Sequence, residues 1–192
     1  MTGTVKGHLL LWKGKSMNKS IEAHKGACYA LTATTNPLGL VSGGADGFLN
    51  FINDKFESWW KFDINSRSEF KSIMPKIRAI ATSTGQTLAV GTRGGEIVQF
   101  NLTGQSEDHI ETKVILRGHF DYELWGLSVH PTQPVYATVG EDFLLAIWEI
   151  QTRRQSKAVR LSVQSKVCQY SNDGKYLAVG CKNGSETFQH FM

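Results

Sequence analysis

Residues 117–148, RGHFDYELWGLSVHPTQPVYATVGEDFLLAIW, form the unit from which the rest of the chain is read. Gly118-His119 opens it and two alternating apolar runs follow, at 124–129 and 135–139. Gly140-Glu141-Asp142 then supplies a tight turn, and a third run ends on Trp148. Short alternating runs divided by turn residues are the antiparallel-strand signal. The unit recurs along the chain. Aligned on the turn before the third run, Gly7, Gly47, Gly95, Phe143 and Gly184 fall in register, with steps of 40, 48, 48 and 41 residues. After four of those turns comes a strand of one type, HLLLW to Trp12, FLNFI to Ile52, EIVQF to Phe100 and LLAIW to Trp148. The first run repeats as CYAL, IRAI, LWGL and VCQY, with Ala30, Ala79 and Gly126 at its third position. A small residue there admits bulk from a neighbouring sheet, so packing between sheets is written into the repeat.

A period of this length, with a Gly-His opening, an Asp turn and a Trp-ended strand, resembles the WD-repeat blade of a β-propeller. In such a blade a His, a hydroxyl, the turn Asp and the Trp tie the strands together, and by spacing these are His119, Thr138, Asp142 and Trp148. His24, Ser42 and Asp46 stand at the same offsets to within one residue two repeats upstream, with Ile52 in place of the Trp. The intervening unit has Val90 and Gly94 where the hydroxyl and Asp belong, and the final one has Val179 and Asn183, so both are expected to rely on apolar packing. A His, a hydroxyl and an Asp also suggest a catalytic triad. A constellation is judged by geometry and role, and a buried structural network is the preferred reading.

The composition excludes several classes. A hydrophobic share of 41% against 20% charged is ordinary for a soluble globular protein and gives no sign of disorder. Nineteen Gly against four Pro, with ten Phe and five Trp, suit many short strands joined by tight turns. The net charge of +4 speaks to solubility more than to a particular partner. The N-terminal residues lack a signal-peptide pattern and no run approaches the roughly 20 apolar residues of a membrane span, so a cytoplasmic protein without membrane contact is expected. Cys28, Cys168 and Cys181 form no C-x-x-C pair and read as reduced thiols, with no zinc and no disulfide. No zinc-protease, nucleophile-elbow or phosphate-loop motif occurs, and the glycines of 91–95 lie between two strands rather than before a helix. No enzyme activity and no cofactor are expected.

Surface chemistry offers two basic groups, Lys13, Lys15 and Lys19, then Arg153, Arg154, Lys157 and Arg160. They are either solvated connections or a docking surface for an acidic partner. A nucleic-acid role is disfavoured, since it comes with higher basicity and a recognised binding fold. In the long connection after Phe51, residues 57–62 are expected to be an outer strand and 65–72 a polar loop. One of Trp59 and Trp60 is expected to pack on the blade and the other to be half covered, with Trp59 as a candidate contact.

Residues 118–131, G-H-x-x-x-E-L-W-G-L-x-x-H-P, followed by ATVGED and a terminal Trp, look more specifically like the echinoderm microtubule-associated protein-like family. The upstream AHKGACYAL, LVSGGADGFLNF, PKIRAI and LAVGTRGGEI fit that family's neighbouring repeats. The resemblance implies one of two joined propellers, binding to tubulin or microtubules, and a place in the cytoplasm on the cytoskeleton. Two departures stand out, the lack of a heptad run and the lack of closing repeats. The expected fold class is therefore all-β, a partial, open propeller of about four to five four-stranded antiparallel WD-repeat blades. The expected divisions are a blade fragment at 1–23 and repeats at about 24–65, 66–113, 114–160 and 161–192. The first blade is expected to lack its first two strands. The last is expected to lose its third strand, because SETFQHFM stands where a strand of the EIVQF type was due, leaving the final ten residues ill-defined. Such a chain is expected to be a piece of a longer protein that carries the rest of the propeller. The expected function is a non-catalytic scaffold on tubulin, the alternative a WD-repeat adaptor that recruits another protein complex.

Overall fold

The computed structural model describes residues 1–35, 38–66, 74–83, 87–102 and 110–190, and these residues form eighteen strands and no helix. The first sheet has the order β1 (Thr2–Gly3), β2 (His8–Lys13), β3 (Ser16–Glu22). The second is β4 (Cys28–Thr35), β5 (Leu38–Gly44), β6 (Phe48–Asn53), β7 (Ser58–Asp63). The third is β8 (Ile77–Thr82), β9 (Thr87–Thr92), β10 (Ile97–Leu102), β11 (Ile110–Leu116). The fourth is β12 (Leu124–Val129), β13 (Val135–Gly140), β14 (Leu144–Glu149), β15 (Gln155–Arg160), and the fifth β16 (Ser165–Tyr170), β17 (Tyr176–Cys181), β18 (Glu186–His190). Each sheet is a run of strands consecutive in sequence, and none closes on itself. The all-β fold class is the one observed, with antiparallel blades of three or four strands within each unit. Two compact units divide the chain, Met1–Ile115 with the first three sheets and Leu116–Met192 with the last two.

The turn register set by the repeat is a backbone fact. Gly7, Gly47, Gly95 and Gly184 have φ of 84°, 82°, 76° and 81°, and Phe143 occupies the same left-handed conformation at 63°. Glycine reaches that region without strain, whereas a bulky residue does not, so the Phe143 turn stores strain its neighbours must hold.

The first strand of each of the second to fifth sheets carries a one-residue bulge. The pairing slips between Cys28 and Ala30, Ile77 and Ala79, Leu124 and Gly126, and Ser165 and Val167. Tyr29, Arg78, Trp125 and Lys166 are the residues set aside, and a bulge re-aims a side chain away from the ladder.

The core lies between successive sheets of a unit. Leu9, Ala23 and Ile52 join the first to the second, and Val41, Phe62, Ile77, Val90 and Phe100 join the second to the third. In the other unit Val139, Leu145, Cys168, Leu177 and Val179 do the same for the fourth and fifth. Phe62 and Phe100 meet edge to face with ring centres 5.6 Å apart, and the burial of each stabilises the fold by about 1.5–3 kcal/mol. The close fit explains the small residues of the repeat. A Cβ on Gly43 would lie 2.3 Å from Ile77 Cγ2, and one on Gly126 would lie 2.8 Å from the Cys168 amide nitrogen.

Two expectations about the ends change, and one about a connection is met. The last sheet keeps its third strand, β18, which pairs with β17 from Tyr176–His190 to Gly180–Glu186. Ladder bonds use backbone groups, so the absence of an EIVQF-like pattern does not prevent pairing once the turn is set. That turn is set by Asn183, whose Oδ1 accepts from the Ser185 backbone N–H at 3.0 Å and hydroxyl at 2.7 Å. At the other end β1 supplies a two-residue second strand, with Thr2 opposite Leu10 and Gly3 opposite Leu9. The outer strand expected at 57–62 is β7, and Asn65 and Ser66 begin the expected polar loop, whose remainder to residue 72 lies outside the described residues.

Candidate functional site

The fourth sheet brings His119, Thr138, Asp142 and Trp148 into one hydrogen-bonded chain. His119 precedes β12, Thr138 lies within β13, Asp142 occupies the β13–β14 turn and Trp148 lies near the end of β14. The Trp148 indole N–H donates to Thr138 Oγ1 at 2.7 Å, and Thr138 Oγ1 lies 2.8 Å from His119 Nε2. His119 Nδ1 lies 2.8 Å from Asp142 Oδ2. Because a carboxylate only accepts, the proton sits on Nδ1, and Nε2 accepts the threonine hydroxyl. The Asp142 carboxylate also takes the backbone N–H groups of Phe120 at 3.2 Å and Leu144 at 3.1 Å. Thr138 and Asp142 are each 3% exposed. A hydroxyl sealed to that degree, and already accepting an indole N–H, presents no nucleophile to a substrate.

The second sheet repeats the chain without the indole. His24 Nδ1 lies 3.0 Å from Asp46 Oδ1 and Nε2 lies 2.9 Å from Ser42 Oγ. Asp46 further accepts from the Lys25 amide at 2.8 Å and the Phe48 amide at 3.2 Å, while Ile52 is buried at the tryptophan position. Burial pushes the His24 pKa below its ordinary value against the opposing pull of Asp46, which favours the neutral ring.

The third sheet does not rely on apolar packing alone. Glu96 is buried and its carboxylate accepts the Thr92 hydroxyl, while the Thr92 backbone N–H donates to the Glu96 carbonyl at 3.0 Å. Gly94 is glycine for a local reason, since a Cβ there would lie 2.5 Å from Glu96 Oε2. The signal in sequence was T-R-G-G-E, a hydroxyl and a carboxylate flanking the turn rather than inside it. His130 was also without an assigned role. Its Nδ1 accepts from the Gln133 amide at 3.0 Å, and its Nε2–H donates to the Gly174 carbonyl at 3.1 Å, joining the β12–β13 turn to the β16–β17 turn.

The residues nominated for a partner lie on outer strands and on the turns that lead into them. Lys13, Lys15 and Lys19 are exposed at β2, its following turn and β3, and the Lys19 ammonium donates to the Lys55 carbonyl at 3.4 Å. Arg153, Arg154, Lys157 and Arg160 are exposed on the β14–β15 turn and β15, in the other unit. Trp59 is the residue set aside by a bulge in β7, because Phe51 pairs with Trp60 and Ile52 with Ser58. It remains 37% exposed, while Trp60 stacks on Phe51 with ring centres 4.6 Å apart. All three cysteines are free, and burial pushes the Cys168 thiol up to about 11. Among the described residues no group of three or more His, Cys, Asp or Glu is placed to hold a metal ion.

No protein-family model matches the chain. Echinoderm microtubule-associated protein-like 2 of Mus musculus is 29% identical over 96% of this chain and 27% of its own length. Echinoderm microtubule-associated protein-like 1 of Rattus norvegicus is 28% identical over 96% of this chain and 21% of its own length, and echinoderm microtubule-associated protein-like 4 of Homo sapiens is 26% identical over 96% and 19%. The chain thus spans about a quarter or less of the length of these curated relatives.

Proposed function

We propose that this chain, a homologue of the echinoderm microtubule-associated protein-like proteins, is a non-catalytic blade scaffold that associates with microtubules on the cytoplasmic cytoskeleton by binding tubulin. The observation that carries the reading is similarity across 96% of the chain to proteins whose names state microtubule association. The internal geometry is in keeping with it. Both His-centred chains are committed to holding strands together, which leaves exposed loops and outer strands as the surfaces for recognition. Lys13, Lys15, Lys19, Trp59, Arg153, Arg154, Lys157 and Arg160 are the proposed contacts, as exposed cations and one half-exposed indole facing an acidic surface.

Co-sedimentation with polymerised tubulin tests the proposal. The chain is expected to pellet at low salt and to be released as salt screens the contacts, with less pelleting after Lys13→Glu, Lys15→Glu and Lys19→Glu together. A folded chain that stays in the supernatant even at low salt overturns the reading. Pelleting unchanged by the lysine reversals removes that cluster from the contact.

A further inference from the structure

We infer that the Met1–Ile115 unit carries a second recognition surface, for an extended acidic peptide, at the end of its sheets where the second-to-third strand turns lie. The backbone makes that end continuous. Ala23 and His24 amides donate to the Gly7 carbonyl at 3.0 and 3.1 Å, and the Cys28 amide donates to Thr4 at 3.0 Å. Ala45 N–H donates to Ala27 at 2.8 Å, Arg93 to Lys76 at 2.8 Å and Gly94 to Met74 at 3.1 Å. The first two turns are thereby locked to the chain entry of the second sheet and the third turn to the entry of its own sheet, and a Cβ on Gly47 of the second turn would lie 3.2 Å from Pro75 in that last entry.

That end is basic. Lys6, Lys25, Arg78 and Arg93 are exposed and Lys76 is half-buried, and none of the five is in an ion pair among the described residues. The two carboxylates of the turns themselves are engaged. Asp46 holds His24 and the Lys25 amide, and Glu96 is buried on Thr92. Glu22 and Asp63 stand on the outermost strands β3 and β7, where Asp63 accepts from the Asn65 amide at 2.9 Å.

Arg78 is the anchor. It is set out of the β8 ladder by the bulge, and its guanidinium carbon lies 4.1 Å from the centre of the Tyr29 ring, the residue set out of β4 by the equivalent bulge. Stacking holds a guanidinium flat and leaves its edge free to take a carboxylate with two parallel bonds, so little conformational freedom is lost on binding. The matching pair in the other unit behaves differently. Lys166 lies 3.7 Å from the centre of the Trp125 ring, but it also donates to Glu141 at 2.7 Å, and Lys182 reaches the same carboxylate at 3.4 Å. Those bonds, the Lys166 bond foremost, hold the Glu141 carboxyl below its usual range. Charge is cancelled there and left over at Arg78. A peptide is favoured over a nucleic acid because the Tyr29 face that would stack a base is already covered.

The surface holds whether or not the chain binds microtubules, and it is tested with the full chain and a fluorescein-labelled synthetic peptide alternating Glu and Gly, read by fluorescence anisotropy. Arg78→Glu with Arg93→Glu is expected to weaken binding by about ten-fold or more, and Tyr29→Leu, which changes no charge, by about three-fold. Lys166→Glu, and Lys13→Glu with Lys15→Glu, are expected to stay within about two-fold of the parent. If the double reversal unfolds the chain, shown by its circular dichroism, Arg78→Gln replaces it with the same direction of effect. Absence of binding at low salt, an equal loss in the Lys13 and Lys15 control, an unchanged affinity in Tyr29→Leu, or tighter binding of a single-stranded oligouridylate would each overturn the assignment.

Discussion

Asp142, itself 3% exposed, accepts from three donors, the His119 Nδ1–H shared between its two oxygens and the Phe120 and Leu144 amides. Asp142→Ala strands those donors and is expected to destabilise the fold by about 2–4 kcal/mol, seen as a lower Tm. An unchanged melt would separate the chain of bonds from stability altogether. His24 has a pH signature of its own. Its folded pKa lies below the ordinary 6.5, so the unfolded chain binds the proton first, and stability is whole above about 6.5 and falls as pH drops through the folded value. The urea midpoint is accordingly expected to be higher at about pH 7.5 than at about pH 5.5, and a midpoint that rises on acidification would contradict a neutral buried ring. The His, hydroxyl, Asp and Trp of this chemistry were legible because their spacing is regular. Glu96 was not, since a buried carboxylate on a turn threonine follows no repeat rule and shows itself only once Gly94 is seen to leave it room.

At the scale of elements, the contact between the second and third sheets is the tightest test of packing. Gly43→Ala places a methyl against Ile77 and Ile80 and is expected to cost about 1–3 kcal/mol, while Ile77→Ala, which removes the Cγ2 that the methyl meets, is expected to offset part of that cost in the double variant. Chemical denaturation of the four-member cycle reads the coupling, and strictly additive effects would mean the two residues do not meet. The turns were legible from the alignment on Gly7, Gly47, Gly95, Phe143 and Gly184, because a left-handed residue is demanded at one point of each repeat. Strands β1 and β18 were not. A two-residue strand leaves no period to detect, and the ladder of β18 is a property of backbone groups that side-chain alternation does not report. The exposure of Trp59 follows from pairing register, which is fixed by the partner strand and so is absent from the local sequence.

Across the molecule, each unit keeps its own apolar clusters, in the manner of repeat proteins whose stability is a sum of repeats and nearest-neighbour contacts. Length, composition and period led to the blade architecture, but they carried no information on which exposed charges are paired, since Lys166 and Arg78 occupy equivalent bulges and differ only through Glu141. Among the described residues the His-centred chains occur in the second and fourth sheets and not in the third and fifth, and the bulge residue alternates with them, aromatic in one and cationic in the next. Within each unit the aromatic set out of one sheet meets the cation set out of the next, Tyr29 with Arg78 and Trp125 with Lys166. The stacking contact thus recurs once per pair of sheets, and a cation replaced by an aromatic at either bulge would put two rings where a ring and a charge now meet.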